Sequence, residues 1–554
     1  MHLLDKYLPR TSFSSYEDFK ANYRVNVPPR FNFGYDVVDE WARLDPEKQA
    51  LVWMDDAGEI RRYTFADVKR RSAQAANALA ALGIGKGDVV MLILKQRPEV
   101  WFTLVGLMKL GAIAIPASYL LTGKDISYRC NAARAKMLIT VDDPVIAGHA
   151  KDALPDCTTL RHVAAVGENV PDGWLDFRAL CAAASGEHPR PADAAGGEET
   201  MLIYFTSGTT GWPKMIVHDF NHPIGHIVTA KYWQHVQDNG LHLTAVDSGW
   251  AKFGWGKIYG QWMCGSAVAA FDTEKFMPEK MLAAIEKMQV TTFCAPATVY
   301  RFMIHADVKK FDLSRVTQFS MAGEPLNPEV FNRWMELTGK PLVEGFGQTE
   351  GTVLIANFGF YPIRPGSTGR FAPVYDLEIV NSDGTPCEDG EVGHIVIRHA
   401  NSPHPVGLFR EYLRDPEAMA ASWKDGNYDT GDMAWRDADG YIWFVGRSDD
   451  IIKCSGYRIG PFEVESALME HDAVIECAVT AAPDPVRGQV VKATIVLKKG
   501  YAGTPALVKE LQDHVKKATA PYKYPRIVEF VDELPKTHSG KVRRKAIRQN
   551  DATA

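Results

Sequence analysis

Between residues 63 and 140 the hydrophobic pattern alternates between helical and strand period, and this alternation constrains the fold more than any other feature. Phe65 to Leu82 is rich in Ala and Leu at helical spacing and stops at Gly83; Val89 to Leu94 follows as a continuous apolar run of strand length. Pro98 stands where a first helical turn tolerates it, Glu99 to Leu110 continues the helix, and Gly111 ends it before the short apolar run Ala112 to Ile115. Strands that are apolar on both sides, joined through helices, belong to parallel sheets covered on both faces. The chain is therefore expected to be an α/β protein with doubly wound sheets in a large N-terminal domain.

The elements become smaller after about residue 448: a helix from Phe462 to Met469, strands at Val474 to Val479 and Val490 to Leu497, a helix from Ala506 to Lys517, and a strand at Ile527 to Val531. This grammar predicts a small α+β C-terminal domain, with boundaries at 1–448 and 449–554. Ser185 to Glu198 is polar, rich in Pro and Gly and without period, and is expected to be a surface linker. A formal charge of −6 with 23% charged residues gives no field strong enough to suggest nucleic acid or a membrane surface as a partner. The eight cysteines form no C-x-x-C pair, no signal-peptide pattern opens the chain, and no uncharged run approaches the roughly 20 residues of a membrane span. A cytoplasmic enzyme with small-molecule partners is expected.

Thr206 to Lys214 reads TSGTTGWPK. Thr206, Ser207, Thr209 and Thr210 supply hydroxyls, Gly208 and Gly211 let backbone N–H groups face one concavity, and Lys214 adds a cation, a combination suited to a polyphosphate. A hydroxyl-rich hairpin turn would use the same residue types. A P-loop is excluded because Trp212 and Pro213 separate Gly211 from Lys214.

TSGTTGWPK resembles the phosphate loop of the adenylate-forming superfamily, and further segments match in the expected order: AGEPLNPEV (322–330), EGFGQTEG (344–351), YDTGDMAW (428–435), GRSDDIIKCSGYRIGPFEVE (446–465), DPVRGQVVKA (484–493), APYKYPR (520–526) and PKTHSGKVRR (535–544). Within that superfamily the chain is most similar to medium-chain acyl-CoA synthetases. The resemblance implies an AMP-forming ligase that couples a carboxylic acid to ATP as an acyl-adenylate, releases pyrophosphate, and transfers the acyl group to CoA with Mg²⁺ as cofactor. It implies that Glu344, Gly345, Phe346, Gly347, Gln348 and Thr349 surround the nucleotide, with Thr349 reaching the α-phosphate and Glu350 ligating Mg²⁺. Asp432 would hold the ribose hydroxyls, Arg447 would add a charged contact, and Lys541 would be the catalytic cation of adenylation. Asp449 matches the hinge about which a mobile C-terminal domain would rotate, presenting Ser455, Gly456, Tyr457 and Arg458 to CoA. Arg487, Lys516, Tyr524, Pro525 and Arg526 match further CoA contacts.

For the acyl pocket the resemblance points to Trp250, Gly323 and Gly347. Acetate-specific relatives carry Trp where this chain has Gly347, so a missing wall and an acid larger than acetate are expected: medium-chain, branched short-chain or small aromatic. On this reading, Trp put back at 347 would favour acetate. Trp255 and Trp262 are expected in the core, and Lys252 and Lys257 in solvent. Two alternatives stand beside this reading, an amino-acid adenylation enzyme serving a separate carrier protein and a non-catalytic acyl-AMP binder. The joint presence of Glu350, Asp432 and Lys541 argues against the second.

Overall fold

A computed structural model describes residues 2–206, 212–400, 403–454, 457–484, 487–536 and 541–553, with Arg458 and residues 550–553 described by their backbone alone. The described residues form four sheets. In the eight-stranded sheet, Val89–Ile93 lies between Ile113–Pro116 and Met137–Val141, parallel to both. The βαβ pattern read from the sequence is present there. Its first helix spans Phe65–Ala81 and opens on a capping box in which Thr64 and Asp67 satisfy each other's backbone N–H groups. The second, Glu99–Leu110, ends at Gly111, which adopts a left-handed φ of 76°. The two helices meet at Gly106, where a Cβ would lie 2.8 Å from the Ser72 carbonyl oxygen.

The sheets are not wholly parallel. Thr200–Thr206 and Lys214–Asp219 form an antiparallel hairpin at the other end of the same sheet. The nine-stranded sheet runs parallel from Gln49–Asp55 to Leu342–Gly347, then turns antiparallel at Val353–Ala356. A third, five-stranded sheet is antiparallel and contains the long strand Asn427–Arg436 paired with Ile442–Arg447.

The stretch from Ser185 to Glu198 contains no helix or strand, as expected, yet it is not a free linker. Asn77 on the first helix donates to the Ser185 and Glu187 carbonyls, both at 2.9 Å, and Ala194 and Ala195 are buried. Polar composition misled because the segment is held by backbone carbonyls rather than by apolar side chains.

The fourth sheet begins at Ile452–Cys454 and includes the long pair Val474–Asp484 and Gly488–Leu497, with Ile527–Phe530 parallel to the latter. Helices Pro461–Met469 and Pro505–Ala518 contribute Val464, Leu468, Leu511 and Val515 to a core shared with Val479 and Ile495. The α+β grammar of this region is thus present, with Val474–Asp484 running five residues past its expected end and Gly488–Leu497 starting two residues early.

Candidate active site

Thr206 pairs with Lys214 in the hairpin register, so the two ends of TSGTTGWPK are held side by side. Ser207, Gly208, Thr209, Thr210 and Gly211 lie outside the described residues. Just beyond them, Trp212 is half exposed and stacks on Tyr128, with centroids 4.2 Å apart and an interplanar angle of 13°, while the Tyr128 hydroxyl donates to the Pro213 carbonyl at 3.3 Å. Lys214 places its ammonium 4.5 Å from the centre of the Tyr412 ring.

Opposite this hairpin, Leu342–Gly347 delivers the EGFGQTE segment. Side chains alternate along a strand, so Gly345 and Gly347 face one way and Glu344 and Phe346 the other. On the glycine side two indoles press against the backbone. A Cβ at Gly345 would lie 2.4 Å from Trp233, and one at Gly347 would lie 2.2 Å from Trp255. Trp233 donates to the Val343 carbonyl at 3.1 Å, and the Trp255 carbonyl accepts from Gln261 at 2.9 Å. On the other side Phe346 meets Phe444 at 5.4 Å, and Glu344 is buried beside Thr368, its pKa pushed up to about 8 chiefly by burial. Glu344 is therefore a neutral interior group at pH 7.

Past the strand, Gln348 is fixed by three contacts: the Tyr428 hydroxyl donates to its Oε1 at 3.0 Å, and its amide donates to the Thr430 carbonyl at 2.7 Å and to the Asp432 carboxylate. Asp432 and Arg447 are direct cross-strand partners, and Arg447 Nη1 stands 3.9 Å from Asp432 Oδ2 and its Nε 3.5 Å from Asp449. Burial pushes the Asp432 pKa up to about 7, against the pull of Arg447 and the Gln348 hydrogen bond. Glu350 receives the Tyr412 hydroxyl at Oε1 (2.9 Å) and the Phe409 N–H at its carbonyl (2.6 Å). Burial raises its pKa as well, opposed by the Tyr412 hydrogen bond and the charges of Arg447 and Lys214. The Thr349 carbonyl accepts from His218 Nε2 at 2.8 Å.

The charge of Lys541 acts on Asp432 and on Lys252, which brings the predicted catalytic lysine to the site from the far end of the chain. Gly323 has a φ of 100° and leaves open space where a Cβ would stand. Trp250 precedes the helix Ala251–Gly256, partly buried. In the C-terminal region Lys516 lies over the Tyr524 ring at 4.4 Å, Arg526 donates to the Tyr524 hydroxyl at 2.7 Å, and the Pro525 carbonyl accepts from Gln512 at 2.9 Å. Tyr457 stacks on Tyr522 with centroids 4.1 Å apart. The Arg487 N–H donates to Asp484 at 2.7 Å. Ser455, Gly456 and the Arg458 side chain are outside the description.

Trp255 is buried as expected and fills the space beneath Gly347 where a Cβ would stand. Two expectations are corrected. Lys257 is not solvated: it is 2% exposed, donates to Gln96 Oε1, and burial lowers its pKa to about 7, with Asp247 and Asp272 opposing the fall. Lys252 is partly buried and donates to the Ala322 carbonyl at 2.6 Å. Both lysines sit in an aromatic segment, and distant residues, the Ala322 carbonyl and the Gln96 side-chain amide, supply the partners that solvent would otherwise provide. Sequence reasoning also passed over Tyr412, Trp233 and His218, none of which belongs to a motif that announces it.

Comparison with known proteins gives the family. The AMP-binding enzyme family pattern matches residues 38–413, and that of the AMP-binding enzyme C-terminal domain matches residues 463–541. The mouse (Mus musculus) protein named acyl-coenzyme A synthetase ACSM3, mitochondrial, is 39% identical over 549 residues, covering 98% of this chain and 94% of its own. The human (Homo sapiens) ACSM4 of the same kind is 40% identical over 545 residues, covering 96% and 93%. Among solved structures, the anthranilate CoA ligase AuaEII in complex with anthranoyl-AMP superposes with a TM-score of 0.87 at 29% identity, covering 95% of this chain and 98% of its own. An acyl-CoA synthetase from Brucella canis gives 0.74 at 32%, covering 98% and 99%. The chain belongs to the AMP-binding enzyme family.

The Trp255–Gly347 contact makes a direct prediction. Gly347→Trp alone should lower the thermal midpoint by several degrees, because its side chain must enter space held by Trp255 and by the Thr352 carbonyl oxygen, 2.4 Å from the Cβ position. Pairing it with Trp255→Gly should recover at least half of that loss in the same melting experiment, and no recovery would mean that the two sites do not share the volume.

Proposed function

We propose that this AMP-forming acyl-CoA synthetase takes an acid larger than acetate, medium-chain, branched short-chain or small aromatic, with Mg²⁺ accompanying ATP. The observation that carries the reading is the convergence of Lys214, Glu350, Asp432, Arg447 and Lys541 beside a strand whose reverse side is closed by Trp255. The acid oxygen attacks the α-phosphorus, the bond to the β-phosphate oxygen breaks, and pyrophosphate leaves with the bonding pair. The CoA sulfur then forms a bond to the acyl carbon, the bond to AMP breaks, and the thiol proton is lost. In the first step an anion meets a polyanion, so fixed cations placed where charge develops lower the barrier. Arg447 and Lys541 approach from the Asp432 side and Lys214 from the hairpin.

The donor set at Glu350 fits a magnesium ion. Among the described residues no group of three or more His, Cys, Asp or Glu side chains could hold a metal, so the ion would be one that arrives on the phosphates and takes a single carboxylate from the protein. Glu350 supplies that hard oxygen, with Tyr412 and the Phe409 N–H fixing its direction. The ion neutralises polyphosphate charge when bound. Asp432 would accept both ribose hydroxyls. The hinge at Asp449 and the assignment of Tyr457, Arg487, Lys516, Tyr524, Pro525 and Arg526 to CoA are part of the same proposal, supported by the clustering of Lys516, Tyr524 and Arg526. All eight cysteines are free thiols, which supports a reducing compartment such as the cytoplasm; the curated relatives above are named mitochondrial.

A pyrophosphate-release screen over C2 to C12, branched and aromatic acids should give AMP and pyrophosphate, with medium-chain, branched or aromatic acids preferred over acetate. Release of ADP would overturn the reaction. In the same screen Trp255→Ala should move the optimum to longer chains, and an unchanged profile would remove Trp255 from the pocket. Lys541→Ala should slow adenylation by about a hundredfold or more while thioester formation from synthetic acyl-adenylate stays within about threefold; equal loss in both steps would contradict an adenylation-only role. The Asp432 carboxylate, with its pKa near 7, is ionised and able to accept ribose hydroxyls only above neutrality. The KM for ATP should therefore rise as pH falls, by about tenfold at one unit below that pKa, and Asp432→Asn should show a high KM without this pH dependence.

A further inference from the structure

Behind the Gln348–Glu350 turn lies a column of three buried histidines that the chemistry above does not use. His218 is 0% exposed, His222 2% and His226 0%. His218 sits on Lys214–Asp219, the strand that leaves the phosphate hairpin. The chain then turns at Asp219, whose Oδ1 accepts the N–H groups of Asn221 and His222 at 3.0 and 3.1 Å and so starts the helix His222–Ile227. Four-residue spacing brings the rings into contact, His218 and His222 with centroids 3.8 Å apart and planes tilted by 39°, His222 and His226 edge to face at 4.7 Å.

The hydrogen bonds fix every proton in this column. A carbonyl oxygen only accepts, so His218 Nε2 carries the proton that meets Thr349 at 2.8 Å, and His222 Nδ1 carries the one that meets Gly407 at 3.1 Å. His222 Nε2 is then a lone pair, which accepts from His226 Nε2 at 3.1 Å. His226 Nδ1 in turn accepts the Thr229 hydroxyl at 3.4 Å. His218 Nδ1 meets no hydrogen-bond partner among the described residues, which suits a bare lone pair better than an N–H. Each ring is neutral, and burial holds His226 down to about 3.

Both ends of this scaffold reach the machinery. The segment that His222 holds at Gly407 continues into Phe409 and Tyr412, which bind the Glu350 carbonyl and carboxylate. The helix is pressed on that segment so closely that a Cβ at Gly225 would stand 2.7 Å from the Gly407 Cα. Thr349 and Glu350 are thus held from two directions by one rigid block, whose other end, His226, faces Trp255 at 6.1 Å.

We propose that His218 is a positioning residue for adenylation: its single N–H, oriented by the histidine column, sets the turn that aims Thr349 and Glu350 at the triphosphate and its metal. The proposal rests on the roles given to Thr349 and Glu350 above. Losing the donor lets the turn relax, and a displacement of that kind costs adenylation without touching any group that reacts.

Three variants and one spectrum decide it. His218→Phe keeps the ring and removes the donor; it should slow pyrophosphate release about ten- to a hundredfold and raise the Mg²⁺ concentration for half-maximal rate about threefold or more. His218→Gln, which restores an N–H, should return both to within about threefold of wild type. Thioester formation from synthetic acyl-adenylate should change by less than about threefold in either variant. In the ¹⁵N spectrum of the wild-type imidazoles, His218 and His226 should be Nε2–H tautomers and His222 the Nδ1–H tautomer. A proton on His218 Nδ1, an unchanged Mg²⁺ dependence in His218→Phe, absence of rescue by glutamine, or equal loss in both half-reactions each overturns the proposal. If His218→Phe does not fold, the glutamine variant and the spectrum decide between the outcomes. Glu350→Gln separates the two levels: retained adenylation there defeats the underlying reading of Glu350, whatever His218 does.

Discussion

The site depends on two absent side chains. Gly345 and Gly347 let Trp233 and Trp255 lie against the backbone of Leu342–Gly347, closer than any Cβ would permit. Burying an aromatic side chain contributes on the order of 2–3 kcal/mol, so these two contacts hold the strand more firmly than its short ladder alone. The ladder sets its direction: Met321 pairs with Glu344 and Ala322 with Gly345 on one edge, and Ile355 with Phe346 on the other. A strand pinned on its lower face and along both edges has one place to send its exit, and that exit is Gln348–Thr349–Glu350. The acyl wall and the nucleotide contacts proposed above would therefore be consequences of the same packing.

Around that exit the charges are arranged for a ligand of opposite sign. Asp432 and Glu350 are both raised by burial, while Arg447, Lys214 and Lys541 converge on the same space. Without a polyanion the carboxylates bear a desolvation cost that the cations only partly offset, since Arg447 stands 3.9 Å from Asp432 rather than in a bidentate pair. Ribose hydroxyls would supply donors to Asp432, and the triphosphate would meet the cations.

What the sequence made legible was local. The helices Phe65–Ala81 and Glu99–Leu110 and the strand Val89–Ile93 were expected within one or two residues, because period, capping and Gly111 act within a single element. The flanks of TSGTTGWPK pair as a hairpin, while the residues that would form its nest lie outside the described residues. What was not legible depended on register between distant segments. Nothing in the sequence near Gly347 indicates that Trp255 packs against its backbone. Nor does the setting of Lys257 reveal Gln96 as its partner, or a lone Tyr412 its bond to Glu350. Periodicity says which face of an element is buried; it does not say what is buried against it.

The attachment of Lys541 bears on how one pocket could serve two reactions. The short bridge between Lys536 and Val542 and the helix Arg544–Thr553 flank the lysine. Arg544 places Nη2 2.7 Å from both oxygens of Glu465, and Arg548 pairs with Asp450 at 2.6 Å, next to the predicted hinge residue Asp449. Arginine pairs of this geometry resist local peeling more than a single lysine contact would. The helix that follows Lys541 is therefore anchored on the C-terminal sheet and its helices. A movement of the fourth sheet as a body that withdrew Lys541 from Asp432 would also carry the stacked Tyr457 and Tyr522 to a new position. On the proposed roles, removal of the adenylating cation and presentation of the tyrosine pair would be one mechanical event.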